Sequence, residues 1–265
     1  MNLFLKLPKG QMVLFLFFIA LSALIEHPKL LNFYIIFASV LFTIFFDLLF
    51  TYFRSKKLFV PYAAIVTGII TGLIVNSSLS LYQIPLVCAL SMGIKNFARV
   101  GNRHIFNPAG SGLVFGSIIL GTHISWWAVS FQNIFSLQAK YIFSFLLLLA
   151  PVFVSGLKMK RYYAILSFLT LYTIFSQIVS LKSFSGESFL NTFFDPTVLF
   201  FSIVMLPEPM TSPVNSKRQI LYAGFVALIS QLISLPILGN SIIQTIPDPL
   251  VSALLLGNLV FFKYR

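Results

Sequence analysis

The amino-acid sequence predicts an all-α integral membrane protein that crosses the bilayer about ten times. Of its 265 residues, 58% are hydrophobic and 9% are charged, and the mean hydropathy is +0.95. With 31 Phe and so few charged side chains, the chain lacks the polar surface that a water-soluble globule of this size needs. A cytosolic enzyme is therefore excluded, and we expect most of the exterior to face lipid.

The predicted spans are ten apolar runs separated by polar segments or by Pro and Gly. They are Met12–Ile25, Leu31–Phe53, Phe59–Val75, Tyr82–Phe97, Phe106–Gly121, Tyr141–Leu157, Tyr162–Leu181, Phe193–Leu206, Ile220–Leu238 and Asp248–Phe262. A hydrocarbon core of about 30 Å needs about 20 helical residues. Because Phe193–Leu206 and Phe106–Gly121 are shorter, we expect broken helices there, at backbone breaks that usually line a site.

The basic residues predict the orientation of these spans. An N-terminus in the cytoplasm places 15 of the 18 Lys and Arg on the cytoplasmic side and leaves Lys29, Lys140 and Lys182 outside. The fifteen are Lys6, Lys9, Arg54, Lys56, Lys57, Lys95, Arg99, Arg103, Lys158, Lys160, Arg161, Lys217, Arg218, Lys263 and Arg265. This asymmetry predicts a multi-pass protein of the plasma (inner) membrane with both termini cytoplasmic. The net charge of +12 then reflects topology, and nucleic acid is not expected as a partner.

We predict one polytopic domain, 1–265, made of two five-span repeats at about 11–121 and about 139–262. An odd number of spans per repeat forces the second repeat to be inverted relative to the first. The segments Ile105–Leu113 and Ile246–Leu254 carry an Asn-Pro and an Asp-Pro pair at corresponding places, and each pair opens the last span of its repeat. Such pairs start many helices, so this similarity alone does not prove a repeat.

Three segments resemble the RnfD/NqrB family, the membrane flavoprotein subunits of Rnf and Na⁺-translocating NADH:quinone oxidoreductase complexes. The most specific is Lys95–Ala109, which ends in Gly-Asn-Arg-His-Ile-Phe-Asn-Pro-Ala. The second, Met205–Pro213, stands where the family has Thr-Asp-Pro-Val-Thr-Ala-Ser, and the third, Val66–Leu73, is similar to its Thr-rich third span. Together they extend from about Pro61 to the end of the chain.

The chain departs from the family pattern at several positions. Arg99 and Val100 replace a Gly-Gly pair, His104 replaces Asn and Glu208 replaces Asp. The long external insertions of the family are also absent. The resemblance therefore indicates a compact, divergent member.

The resemblance implies ten helices in two inverted repeats with broken or short helices, a urea-transporter-like fold. It implies electron transfer, coupled to Na⁺ or H⁺ translocation, by a component of an oxidoreductase or translocase rather than by a stand-alone enzyme. The implied partners are the lipid bilayer and membrane or soluble redox subunits such as a flavin or iron–sulfur reductase.

The implied cofactor is a flavin, FMN or riboflavin. The matching positions are Lys95, Asn107, Pro108, Gly110, Thr211 and Ser212. The family's covalent attachment motif, Ser-Gly-Ala-Thr, is absent, and its nearest counterpart is Ser185–Ser188, where Ser188 offers a hydroxyl for a phosphoester. Non-covalent binding is favoured over covalent attachment, and a chain without any cofactor stays open.

Each of these residues also has a purely structural interpretation. Asn107 can cap a helix, Lys95 can complement a helix C-terminus, and Thr211 and Ser212 can cap locally. Acids inside membrane segments are ion or relay candidates; these are Asp47, Glu208 and Asp248. From their positions in the chain we expect Glu208 to pair with Lys217 or Arg218, and Asp47 to reach the interface or pair with Arg54.

The remaining reactive residues are sparse. His27, His104 and His123 are scattered and Cys88 is the single cysteine, so we expect no metal site, disulfide or iron–sulfur cluster within the chain. Trp126 and Trp127 are typical of an interfacial aromatic belt. An alternative function from another class is a transporter or channel for a small polar solute, using the same fold without a cofactor.

Overall fold

The computed structural model describes residues 7–56, 60–130, 139–179, 185–235 and 246–264. The chain divides into two compact units, Met1–Val129 and Ser130–Arg265. Their boundary falls between the two predicted repeats. Both units are helical almost throughout their described residues.

The first unit contains five helices and a short β-ribbon in its described part. The helices are α1 (Pro8–Glu26), α2 (Leu30–Ser55), α3 (Tyr62–Ile74), α4 (Gln83–Phe97) and α5 (Pro108–Leu120). Between α4 and α5, β1 (Arg99–Val100) and β2 (Arg103–His104) pair antiparallel, which adds a ribbon to the helices that the sequence predicts. Helix α2 packs against α3 and α4, and α4 packs against α5.

The second unit is helical wherever the structure describes it. Its segments are α6 (Ala139–Leu149), a π-helix (Phe153–Lys158), α7 (Tyr162–Val179), α8 (Gly186–Phe193), α9 (Pro196–Phe200) continued by a second π-helix (Phe201–Met205), α10 (Ser216–Ile233) and α11 (Pro249–Phe261), which ends in a 3₁₀ turn (Phe262–Tyr264). Helix α10 packs against α7 and α11, and the two π-helices contact each other.

The chain is a helical membrane protein. Within the described ranges, four helical segments are long and apolar enough to span a membrane: Pro8–Glu26, Leu30–Ser55, Tyr141–Lys158 and Tyr162–Val179. A fifth span results if α8 and the segment Pro196–Met205, which meet at a bend of 47°, count as one. Helices α3, α5 and α11 have 13 residues each. At about 1.5 Å per residue they reach only about 20 Å, which is short of a hydrocarbon core.

A helix lies in each of the ten predicted runs, but ten spans in two inverted halves remain a prediction. The sequence marks two runs as short. The structure adds α3 and α11, with 13 residues each, to the short helices.

The end of α3 shows how such a short helix satisfies its backbone. The Ser125 backbone N–H donates to the Ile74 carbonyl over 2.9 Å, and the Trp127 indole N–H donates to the Gly72 carbonyl over 3.2 Å. Trp126, beside it, is buried. The tryptophans predicted as an interfacial belt therefore lie against the end of α3, where one of them replaces hydrogen bonds that the helix itself no longer provides.

Helices α2 and α3 approach closely because α3 carries glycine where they cross. A Cβ atom added to Gly68 would lie 2.6 Å from the Val40 Cα. The close approach lets the Thr43 hydroxyl donate across to the Ala64 carbonyl over 3.0 Å. Small residues that bring backbones together are the usual packing device between membrane helices.

We predict that Gly68→Ala destabilises the first unit by about 1–3 kcal/mol, since the added methyl group collides with backbone rather than with a flexible side chain. Gly93→Ala is the matched control, because an added Cβ at this helical position meets only the Phe50 ring at 3.8 Å. Thermal unfolding of the two detergent-purified variants tests this. Equal midpoints for both variants would show that α2 and α3 are not packed as described.

Candidate functional site

A buried ion pair joins α2 and α4 in the first unit. The Lys95 ammonium lies 2.7 Å from an Asp47 carboxylate oxygen, Asp47 is fully buried, and the Lys95 side chain is 10% exposed. The second Asp47 oxygen accepts from the Asn96 amide over 3.1 Å. A pair of opposite charges with further hydrogen bonds is the form in which ionised groups are tolerated in a low-dielectric interior.

Three more side chains extend this charged cluster toward the end of α4. Thr51 and Arg54 donate to the side-chain amide oxygen of Asn96, Oδ1, over 2.9 and 3.4 Å. Arg99 donates to the Lys95 carbonyl over 3.2 Å, which satisfies one free carbonyl at the helix end. Burial, together with the neighbouring Arg54, lowers the pKa of the Arg99 guanidinium from its usual value, while Asp47 acts in the opposite direction.

The structure corrects the partner predicted for Asp47. Arg54 lies on the same helix as Asp47 and is the partner that the sequence predicts, but the Asp47 carboxylate binds Lys95 on the neighbouring helix. Arg54 reaches Asp47 only through Asn96. Lys95, assigned by the resemblance to a flavin, therefore already holds a carboxylate.

Asp47 belongs to a polar stripe on the buried face of α2. Ser39, Thr43, Asp47 and Thr51 follow one another at intervals of four residues, and all four are buried. The Ser39 hydroxyl lacks a hydrogen-bond partner among the described residues, as does the hydroxyl of Thr71 on α3, which is 1% exposed. A membrane-spanning helix thus carries hydroxyls along the same face that holds the ion pair.

The Asn-Pro-Ala segment starts α5. The Asn107 side chain accepts from the Gly110 backbone N–H over 3.0 Å, and Pro108 occupies the first turn, so Asn107 acts as the cap that its structural interpretation predicts. Pro108 and Gly110 are buried, and the Pro108 carbonyl accepts from the Ser91 hydroxyl of α4 over 2.5 Å. Asn107 and Gly110 therefore form the start of α5, and Pro108 joins that start to α4.

The Pro-Glu-Pro loop of the second unit is closed by hydrogen bonds of its own. The Thr211 hydroxyl donates to the Glu208 carboxylate over 3.1 Å, and the Ser212 hydroxyl donates to the Glu208 carbonyl over 2.7 Å. Ser212 also accepts from the buried Arg161 over 2.9 Å. Both hydroxyl residues are fully buried.

The expected pairing of Glu208 with Lys217 or Arg218 does not appear among the contacts of the described loop. The Arg218 guanidinium lies over the Tyr264 ring instead, 5.0 Å from its centre. Helix α10 begins at Ser216, where Asn215 caps it by accepting from the Lys217 backbone N–H. Arg218, close to Glu208 in sequence, therefore contacts Tyr264 rather than the predicted acid.

A cavity of about 610 Å³ opens in the second unit where α8 bends into α9. Ser185 and four residues of α8 contribute polar side chains to its wall: Glu187, Ser188, Asn191 and Thr192. Ser188 is the nearest counterpart of a covalent flavin site in the sequence, whereas its neighbours in the wall are not among the sequence-predicted site residues. Their i, i+1, i+4, i+5 spacing on one helix face is the signal that could have found them.

The remaining wall of the cavity comes from three other helices. Asp195 and Thr197 lie at the start of α9, Tyr172 lies on α7, and Leu250 lies on α11. The Tyr172 hydroxyl lies near the Gln231 side chain and near the Asp195 and Asp248 carboxylates. The cavity is thus walled largely by hydroxyl, amide and carboxylate groups in a chain that is mostly apolar.

Asp195 and Asp248 have the same local structure as Asn107. Each precedes a proline, and each accepts from the backbone N–H three residues later, Val198 at 3.0 Å and Val251 at 2.9 Å. Asp248, predicted as an ion or relay candidate, is therefore the cap of α11. Asp195 is absent from the sequence-based candidates, although its Asp-Pro opening matches the other two.

The seven residues assigned to a flavin fit that cofactor unevenly. In the first unit, Lys95 holds Asp47, and Asn107, Pro108 and Gly110 form the start of α5. In the second unit, Thr211 and Ser212 are engaged in their own loop, whereas Ser188 lines the cavity. The described cavity wall contains carboxylates but neither Lys nor Arg, so it suits an uncharged riboflavin better than the phosphate of FMN.

Over the ranges that the structure describes, no group of three or more His, Cys, Asp or Glu side chains is arranged to hold a metal ion. No protein-family model matches the chain, and a search of curated proteins gives no match.

We predict that Asp47→Ala destabilises the protein by about 3–5 kcal/mol, because it removes the carboxylate from a buried ammonium. Adding Lys95→Met to that variant should recover most of the loss, since the charge left behind is then replaced by an apolar chain of similar length. Thermal unfolding of the wild type, both single variants and the double variant gives the coupling energy. Strictly additive losses would contradict the pair.

Proposed function

We propose that this chain is a membrane-embedded electron-transfer subunit of the RnfD/NqrB kind, with ten spans in two inverted repeats in the plasma membrane. The observation that carries the proposal is the segment Lys95–Ala109. Its resemblance to the family signature coincides with a charged cluster inside the membrane helices, formed by Lys95 and Asp47. An ionised group within a membrane span is by default a functional-site hypothesis.

The polar stripe on α2 supports the coupling of electron transfer to Na⁺ or H⁺ movement. Ser39, Thr43 and Asp47 place oxygen atoms along one buried helix face, and oxygen groups are those that cations and protons use when they cross hydrocarbon. In this proposal Asp47 is the group that binds Na⁺ or H⁺. Its ion pair with Lys95 has to open before the carboxylate can do so. Glu208 and Asp248 are secondary candidates, because Glu208 accepts from Thr211 and Asp248 serves as a helix cap.

A flavin would supply the redox chemistry, and the chain would supply its binding and its surroundings. Because the described cavity wall carries carboxylates, we propose non-covalent riboflavin there in preference to FMN. Ser188 would remain the position for a covalent phosphoester if FMN were bound. Redox subunits that deliver and accept electrons complete the proposal, since the chain holds no cluster-binding cysteines.

A second function, transport of a small polar solute, is favoured by one observation. The cavity of about 610 Å³ is lined by residues from four helices of one unit, and most of their side chains can form hydrogen bonds. Its volume falls in the range of small-molecule sites, roughly 300–1,000 Å³. A transporter would use such a site without a cofactor.

We predict that the detergent-purified protein shows the visible absorption of a flavin and loses that pigment on denaturation. Non-covalent binding explains the loss, whereas pigment that stays with the unfolded chain would indicate attachment at Ser188. Ser188→Ala distinguishes the two, because it removes only a covalent bond. A folded, colourless protein would contradict the electron-transfer proposal and favour solute transport.

We predict that the segments around Gly186 and Ser216 lie on opposite sides of the membrane. Cys88→Ser provides a cysteine-free chain, into which Gly186→Cys and Ser216→Cys are introduced separately; an added Cβ at Gly186 meets nothing within 4 Å, and Ser216 is exposed. An impermeant thiol reagent applied to intact cells should label the first position and spare the second until the membrane is opened. Labelling of both from outside would overturn the inverted arrangement.

A further inference from the structure

We propose that the cavity at the bend between α8 and α9 binds a small organic cation, whose ammonium or guanidinium groups are held by Glu187 and Asp195. Both carboxylates line the cavity, which has a volume of about 610 Å³. This inference deepens the second proposed function, because the organic cation would be the solute that a transporter carries. A cation in this cavity excludes riboflavin from it but leaves the electron-transfer proposal, which the segment Lys95–Ala109 carries, untouched.

The orientation of α8 is the first argument. The side chains of Glu187, Ser188, Asn191 and Thr192 form the face that lines the cavity. The opposite face carries Phe189, Leu190 and Phe193, with the two phenyl rings stacked 6.1 Å apart and Leu190 46% exposed. An eight-residue helix thus separates its polar and apolar sides and turns its polar side, on which Glu187 and Asn191 are exposed, to one open cavity.

The volume is the second argument. A single bare ion needs only one coordination shell of about 2–3 Å radius, whereas sites for organic ligands occupy roughly 300–1,000 Å³. About 610 Å³ therefore matches a molecule with a carbon skeleton. The wall contains both donors and acceptors, since Asn191, Thr192 and Thr197 line it, so the body of the ligand can form hydrogen bonds as well.

The charge of the wall selects the class of ligand. Glu187 and Asp195 contribute two negative charges, and none of the described lining residues is Lys or Arg. Each acid lies at the start of a helix, where the helix end offsets about half an elementary charge. The balance stays near one negative charge, so an anion is repelled and an organic cation is favoured over an uncharged solute.

Tyr172 adds an aromatic side chain to the site. It lines the cavity from α7, and its hydroxyl lies near the side chain of Gln231, which is buried on α10. An aromatic ring near carboxylates is a common partner for alkylammonium groups, through its electron-rich face. The site therefore combines two charges, an aromatic ring and several hydroxyls.

The test uses the full chain in detergent and three probes with the same carbon chain: putrescine, butanediol and succinate. They differ in carrying ammonium, hydroxyl or carboxylate groups at their ends. Isothermal titration should show saturable binding of putrescine, with binding of butanediol and succinate weaker by roughly tenfold or more, since each lacks the charge-assisted hydrogen bonds. Butanediol binding as tightly as putrescine, succinate binding more tightly, or no binding of any probe would each overturn the proposal.

Variants then locate the site. Glu187→Gln and Asp195→Asn should each weaken putrescine binding roughly tenfold, and Asn keeps the capping oxygen that α9 requires. Glu26→Gln is the control, because it removes one negative charge in the other unit and should leave putrescine binding unchanged. Equal binding by all three variants would show that putrescine binds elsewhere and overturn the assignment. A flavin spectrum recorded on the same samples separates this outcome from failure of the electron-transfer proposal.

Discussion

Hydrocarbon offers no hydrogen bonds, and this constraint governs the polar groups of the chain. At the end of α3, Ser125 and Trp127 donate to carbonyls that a longer helix would bond internally. At the starts of α5, α9 and α11, an Asn or Asp side chain accepts from the third N–H and proline removes another donor. The short helices are possible only because the chain brings partners to their ends.

The same constraint explains why charge appears in pairs. Transferring one ion into a low-dielectric interior costs several kcal/mol even after relaxation. Asp47 and Lys95 reduce that cost by direct contact, and Asn96 satisfies the second carboxylate oxygen. Since removing either charge leaves the other buried, the two residues act as a unit. This interdependence gives Lys95 a structural role that the resemblance to a flavin protein does not reveal.

Composition predicted the membrane environment and the helices, because both follow from local properties of the chain. A helix lies in every predicted apolar run, and the caps at Asn107 and Asp248 were readable as Asx-Pro pairs. Contacts between helices could not be predicted from the sequence, because they depend on which helices pack together. Arg54 is close to Asp47 in sequence, yet Lys95, 48 positions away, binds it because α2 and α4 pack side by side.

The cavity was missed for a related reason. Its polar residues are ordinary loop residues in sequence, and only the 47° bend at the start of α9 gathers them around one space with Tyr172 and Leu250. Asp195 could have been found from its Asp-Pro opening, but nothing local indicates that Glu187 faces the same space. The tryptophan pair predicts an interfacial belt, and its sequence pattern does not reveal that the Trp127 indole also caps α3 or that Trp126 is buried.

The two units differ in what lies beside the end of a short helix. In the first unit, the segment Thr122–Val129 lies directly against the end of α3. Backbone and side-chain N–H groups of this segment donate to the free carbonyls of that helix end. In the second unit, the start of α9 borders an open cavity, where protein groups satisfy the helix cap but leave hydroxyls, amides and carboxylates facing the space. Polar side chains that face a membrane-protein cavity need water or a ligand to replace their hydration. The start of α9, rather than the end of α3, is therefore the place in this chain where a dissolved molecule has polar partners to meet.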